Sequence, residues 1–153
     1  MDEQGNETAE LEELWVRAVE ARQDGRDDRA ADLLRSILAA EPRLAEPRLE
    51  LAHMAVNRGD LEEAEEQTWM AVDILGRGGQ WIDDIPGPKL EAFAHNLLGE
   101  IRYARAELIA AGTDRDAFEE LWNGAAEAFA RAAQLDPDNE DARRNAAHVR
   151  KRG

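Results

Sequence analysis

The 153-residue sequence predicts an all-α domain built from stacked helix pairs. Three observations lead there. Alanine occurs 28 times while aromatic residues make up only 5%, and alanine is the best helix former and a poor strand former. Apolar residues recur at helical spacing, as in Leu11, Leu14, Trp15, Ala18 and Val19 and again in Ala30, Leu33, Leu34, Ile37 and Leu38. Two stretches, Leu14–Pro42 and Arg48–Gly76, align without a gap, which sets Ala18 on Ala52, Ala21 on Ala55, Gly25 on Gly59 and Ala30 on Ala64.

The first unit places two amphipathic stretches on either side of Asp24-Gly25, where glycine accepts the left-handed turn conformation. The second turns at Arg58-Gly59-Asp60. Asp60 is expected to cap the following helix, with Glu63 completing a capping-box pattern. Residues 76–89 then read as a loop, because Gly76, Gly78, Gly79, Pro86, Gly87 and Pro88 argue against a regular helix. Its apolar residues Trp81, Ile82 and Ile85 either tuck over a gap between the second and third units, form a binding or dimerising lip, or belong to a disordered loop.

The third unit is stretched. Its first helix carries Leu97, Leu98, Gly99 and Tyr103, and its second Ala125, Phe129 and Ala132 before Asp136-Pro137. The small residues of a pair are 12 apart in the first two units (Ala18 to Ala30, Ala52 to Ala64) and 26 apart here (Gly99 to Ala125). The surplus amounts to about two added turns in each helix. The expected tip is Gly112-Thr113-Asp114, with Asp114 as N-cap and Phe118, Leu121 and Trp122 packed on Leu108 and Ile109. The returning helix, 115–134, is read as continuous through Gly124, a break at Asn123-Gly124 being the alternative. After Pro137, Asp138 or Asn139 caps a last helix whose stripe of Ala142, Asn145, Ala146 and Val149 closes the stack.

This arrangement resembles the tetratricopeptide repeat (TPR) family. The first unit matches its motif with Leu14 or Trp15, Ala18, Ala21, Ala30, Leu34 and Pro42. The second does so with Leu51, Ala52, Ala55, Ala64 and Ala71, although Gly76 stands where the motif has proline. The resemblance implies a TPR-like α-solenoid of three helix pairs, the third elongated, plus a C-terminal capping helix. The corresponding layout is a flexible acidic lead at 1–8 and a single domain at 9–150. Within it lie repeat 1 (about 11–44), repeat 2 (about 45–76), a loop (77–88), an extended repeat 3 (about 89–137) and the capping helix (138–150). The resemblance also implies a concave groove lined by Trp15, Val19, Arg22 and Gln23 from repeat 1, Leu49, His53, Val56 and Asn57 from repeat 2, and Asn96, Glu100 and Tyr103 from repeat 3. Some members grip a terminal carboxylate with a lysine-asparagine clamp. Trp15, Val19, Leu49 and His53 stand at those positions here, so no such clamp is expected. Trp15, Leu49 and Val56 also admit a plainer reading as core between repeats.

Charge narrows the function. Acidic residues outnumber basic ones 34 to 19, a net charge of −15, and such a field repels nucleic-acid phosphates. Every acid lies at or before Asp141, whereas 143–153 hold Arg143, Arg144, Arg150, Lys151 and Arg152. That basic segment either complements the negative end of a helix dipole or contacts an acidic body or anionic partner. Met1–Glu10 lacks the basic start and apolar core of a secretory signal, and no apolar run is long enough to span a membrane. A cytoplasmic location without membrane insertion is therefore expected.

No catalytic constellation emerges. Cysteine is absent, the glycine cluster lacks the Lys-Ser/Thr of a phosphate loop, and His53, His95 and His148 lack metal-ligand spacing. No catalytic residue, metal or cofactor is expected. The expectation is a non-enzymatic adaptor that holds a peptide or helix of another protein, apolar or basic in character. Two alternatives remain. One is a chaperone similar in size, acidity and repeat number to the type III secretion translocator chaperones. The other is a self-associating structural protein, a homodimer.

Overall fold

The computed structural model describes residues 3–79, 85–109 and 112–152, with the backbone alone for 3–8. Seven α-helices and no strand are found among them: α1 (Glu3–Gln23), α2 (Asp27–Ala40), α3 (Ala45–Arg58), α4 (Leu61–Gly76), α5 (Gly87–Glu107), α6 (Arg115–Leu135) and α7 (Glu140–His148). Contacts are most extensive within the pairs α1–α2, α3–α4 and α5–α6, and each pair meets the next through α2–α3, α4–α5 and α6–α7. No described helix is long and apolar enough to cross a membrane.

Burial follows the small residues. Ala18, Ala21, Ala30 and Ala31 share one core with Leu33, Leu34, Ile37 and α3 residues Leu51 and Met54. Ala52, Ala55, Ala64 and Ala71 form a second with Leu49, Leu75, Leu90, Leu97 and Ile101. Leu34 and Ile37 are fully enclosed, and each such side chain contributes about 1.5–3 kcal/mol by leaving water.

The internal repeat is visible in the turns. The Arg26 N–H donates to the Ala21 carbonyl at 2.8 Å, and at the equivalent place in the second unit the Asp60 N–H donates to the Ala55 carbonyl at 2.9 Å. Gly25 and Gly59, with φ of 76° and 80°, supply the left-handed residue each turn needs. Asp60 accepts from the Glu63 N–H at 3.2 Å. The reciprocal half of the expected capping box is not made. The Asp60 N–H is already bound to Ala55, and the Glu63 carboxylate turns to Arg58 at 2.8 Å.

Several boundaries differ from expectation. Residues 3–8, part of the lead expected to be flexible, belong to α1. Gly76 closes α4, while Gly87 and Pro88 open α5 rather than belonging to the loop. Proline fits a first turn because its missing N–H has no partner there. Trp81 and Ile82 lie outside the described residues. α5 and α6 are 21 residues each, as is α1, against 14 to 16 for α2, α3 and α4. Asp114 caps α6 by accepting from the Ala117 N–H at 3.0 Å, and α6 is unbroken through Gly124. A Cβ at Gly124 would lie 3.1 Å from Arg102 Cδ, so the glycine admits that side chain close to α6.

Of the side chains expected on Leu108 and Ile109, Phe118 and Trp122 meet aromatic partners. Being four residues apart, they share one face and stack on each other at 5.8 Å, with Tyr103 lying 5.6 Å from Trp122. Leu121 instead shares a hollow with Leu108 and Ile109. Asn139 caps α7, which stops at His148, so Val149 is buried just beyond its end.

Candidate functional site

α1, α3 and α5, the first helices of the three pairs, converge on an apolar hollow of about 400 Å³. α1 contributes Trp15. α3 contributes Glu46, Leu49 and Glu50 from its first turns. Ile85 and the opening of α5 supply Lys89, Leu90 and Phe93, and Asn139 stands at the α7 cap. Leu49 and Leu90, each 5% exposed, form the floor and belong to the core beneath it. Ile85 and Phe93 rise to the rim, 42% and 45% exposed. A large aromatic that keeps nearly half its surface in water beside an apolar floor is available to an apolar side chain.

The residues anticipated for a groove divide. Trp15 and Leu49 line the hollow, and Ile85 joins them. Trp15 also edges the α1–α2 core and Leu49 belongs to the next, so the plainer reading as core holds in part. Val56 packs on the core of α3, α4 and α5. Val19 is half-buried on α1, while Gln23 and Asn57 are exposed.

Arg22 and His53 form a polar cluster with Glu50. Arg22 is ion-paired to Glu50, and its other nitrogen lies 3.4 Å from His53 Nδ1. Partial burial, and then the Arg22 charge, hold the His53 imidazole below its usual pKa, favouring the neutral ring. Glu50 thus joins the polar cluster to the apolar hollow.

At the repeat 3 positions α7 meets Asn96 and Tyr103, which are buried and half-buried, while Glu100 stays exposed. Asn145 Nδ2 donates to Asn96 Oδ1 at 3.1 Å, and Asn96 Nδ2 donates to Glu100 at 3.1 Å. Tyr103 packs edge-on to His148. Loss of solvation pushes the Glu100 carboxyl up, the Asn96 bond opposes that, and Asp141 adds to it. The residue that faces the hollow is Phe93, about one turn earlier on the stripe that continues to Asn96 and Glu100. Phe93 stands six residues before Gly99 as Glu46 stands six before Ala52, so the two hold equivalent places on α5 and α3, and both line the hollow.

A larger hollow of about 560 Å³ lies between α4, α5 and α6. Its polar wall is satisfied internally, since Glu65 takes Arg102 at 2.9 Å and also pairs with Arg105. That leaves the apolar hollow as the better candidate for an incoming group. Among the described residues no cluster of three or more His, Asp or Glu side chains is placed to hold a metal ion. No family model matches the chain, and no curated protein is found to be similar to it.

Proposed function

We propose that the chain is a non-catalytic adaptor with a TPR-like solenoid architecture, which receives an apolar anchor from a peptide or helix of another protein in the Trp15–Leu49–Phe93 hollow. One observation supports this most. The first helices of three successive pairs, α1, α3 and α5, meet at the same apolar cavity. An amphipathic helix presents anchors at i, i+3 and i+4, a spacing suited to a cleft of this kind. The acidic surplus disfavours a nucleic-acid partner.

The test is quantitative affinity capture with the full chain and with Phe93→Asp, a substitution at an exposed site that spares the core. Partners recovered by the unaltered chain should fall at least about tenfold with Phe93→Asp while the melting temperature is kept, since an unpaired charge in an apolar contact costs more than about 1.4 kcal/mol. Retention of every partner by Phe93→Asp would remove the hollow as the site.

A further inference from the structure

The basic segment after α7 folds back on its own chain. Val149 is buried against Ala126 and Phe129. The Trp122 indole N–H then donates to the Arg150 carbonyl at 2.7 Å. The Asn123 side chain takes both main-chain groups of Arg152, donating from Nδ2 to its carbonyl at 3.1 Å and accepting its N–H at Oδ1 at 2.7 Å. The Arg152 guanidinium lies 5.5 Å from the Phe118 ring centre and 5.8 Å from that of Trp122. Lys151 Nζ pairs with Glu127 at 2.6 Å.

These contacts sort into two kinds. Three hydrogen bonds address main-chain groups and are indifferent to side-chain identity, as an added strand would be. The ring faces and Glu127 select cations at two successive positions. Asn123 acts as the edge of a sheet in miniature, offering one donor and one acceptor to a single residue. The charged end of the segment is exposed, as are Lys151 and Glu127, so it can lift away while Val149 stays buried.

We propose that this face of α6 is a recognition site for an extended Lys-Arg segment of another protein, occupied in the resting chain by residues 150–152. Charge complementarity argues for that occupant. All 34 acids lie before Arg143 and five of the 19 bases follow from there, so the body is strongly negative and attracts cationic chains. This face is separate from the apolar hollow, and either proposal can fail without the other.

The test uses the full chain, a fluorescent peptide with the sequence of residues 146–152 and fluorescence anisotropy. Arg152→Glu, which loses the ring contacts and sets an acid against the acidic body, loosens the segment's hold and should bind the peptide at least about tenfold more tightly than the unaltered chain. Adding Asn123→Ala should reverse that gain. A peptide N-methylated at the residue equivalent to Arg152 keeps its charge but cannot donate to Asn123, and should bind at least about fivefold more weakly. Equal binding by Arg152→Glu and the unaltered chain would overturn the proposal. So would indifference to Asn123→Ala or to N-methylation, which would reduce the effect to unspecific attraction. Sedimentation of Arg152→Glu should give a monomer. A dimer in the unaltered chain that Asn123→Ala dissociates would assign the face to a second copy's segment and reject a partner protein.

Discussion

In α1–α2 and α3–α4, the closest-packed positions are alanines on both sides, Ala18 and Ala30 in one core, Ala52 and Ala64 in the next. In α5–α6 the matching position is Gly99, and what it faces is an aromatic ring. A Cβ there would sit 2.6 Å from Phe129. The first two pairs bring their helices together with small side chains. The third fills its interface with Phe129, Trp122 and Tyr103. A glycine is then required where a ring enters the interface. Glycine in mid-helix is therefore not one kind of site. Gly99 makes room for a rigid ring, and Gly124 makes room for the flexible Arg102 side chain.

The comparison breaks most sharply at Gly99. Gly99→Val should destabilise the chain by about 3 kcal/mol, the upper end of overpacking costs, as read from urea unfolding. Phe129→Leu in the same chain should recover part of it. Ala52→Gly, at the matching place in the second pair, should cost only about 1 kcal/mol. Gly124→Ala should have the opposite sign and gain up to about 1 kcal/mol, because the arginine can shift and alanine is the better helix former. Equal losses at Gly99 and Gly124 would dissolve the distinction.

The all-α fold and much of its helix pattern were legible because each pair announces itself locally. Gly25 and Gly59 recur at the same place in each unit, and the wide separation of Gly99 and Ala125 pointed to a longer α6, whereas α5 gains its length before Gly99, where that separation gave no sign of it. The site was legible only in part. Trp15 and Leu49 could be assigned from register. Phe93 was missed because the groove positions carried over begin one turn later, at Leu49 and Asn96, although Glu46, its counterpart in the second unit, lines the same hollow. Asn96 and Tyr103 carry no mark of the helix that covers them. The docking of residues 149–152 was hidden for a deeper reason. Its hydrogen bonds end on the Arg150 carbonyl and the Arg152 peptide group, which every residue possesses.

The turns test the likeness of the first two pairs. Gly59→Ala meets no neighbouring atom, so its cost comes from φ alone. It should lose about 1–2 kcal/mol, and Gly25→Ala should lose a similar amount. A clear difference between them would show that the repeated hydrogen-bond pattern hides unequal strain.

Each half also holds a histidine beside arginine. His53 lies near Arg22. His95 is pushed down in pKa by burial first, and then by Arg131 and Arg102. The folded chain thus binds these protons less readily than the unfolded one, whose histidines titrate near 6.5. Their stabilising contribution is present above 6.5 and is lost as pH falls through that value toward the lower folded pKa. Urea unfolding from slightly alkaline to mildly acidic pH should show declining stability, and His53→Gln and His95→Gln should each flatten the decline. If only one does so, the electrostatic likeness of the two halves fails.

The smallest effect distinguishes two readings of one helix start. In a completed capping box, Glu63 would hold the Asp60 N–H, and removing it would cost as much as removing the cap. Here that N–H is bound to the Ala55 carbonyl, and Glu63 meets Arg58 at the surface. Asp60→Ala should therefore cost about 1 kcal/mol, while Glu63→Ala should cost no more than the few tenths of a kcal/mol typical of an exposed pair. That small loss should fade in high salt, since screening removes an exposed ion pair but leaves a cap hydrogen bond in place. A Glu63→Ala loss as large as that of Asp60→Ala, and unmoved by salt, would mean that the box closes in solution and that the Asp60 N–H is released from the preceding turn.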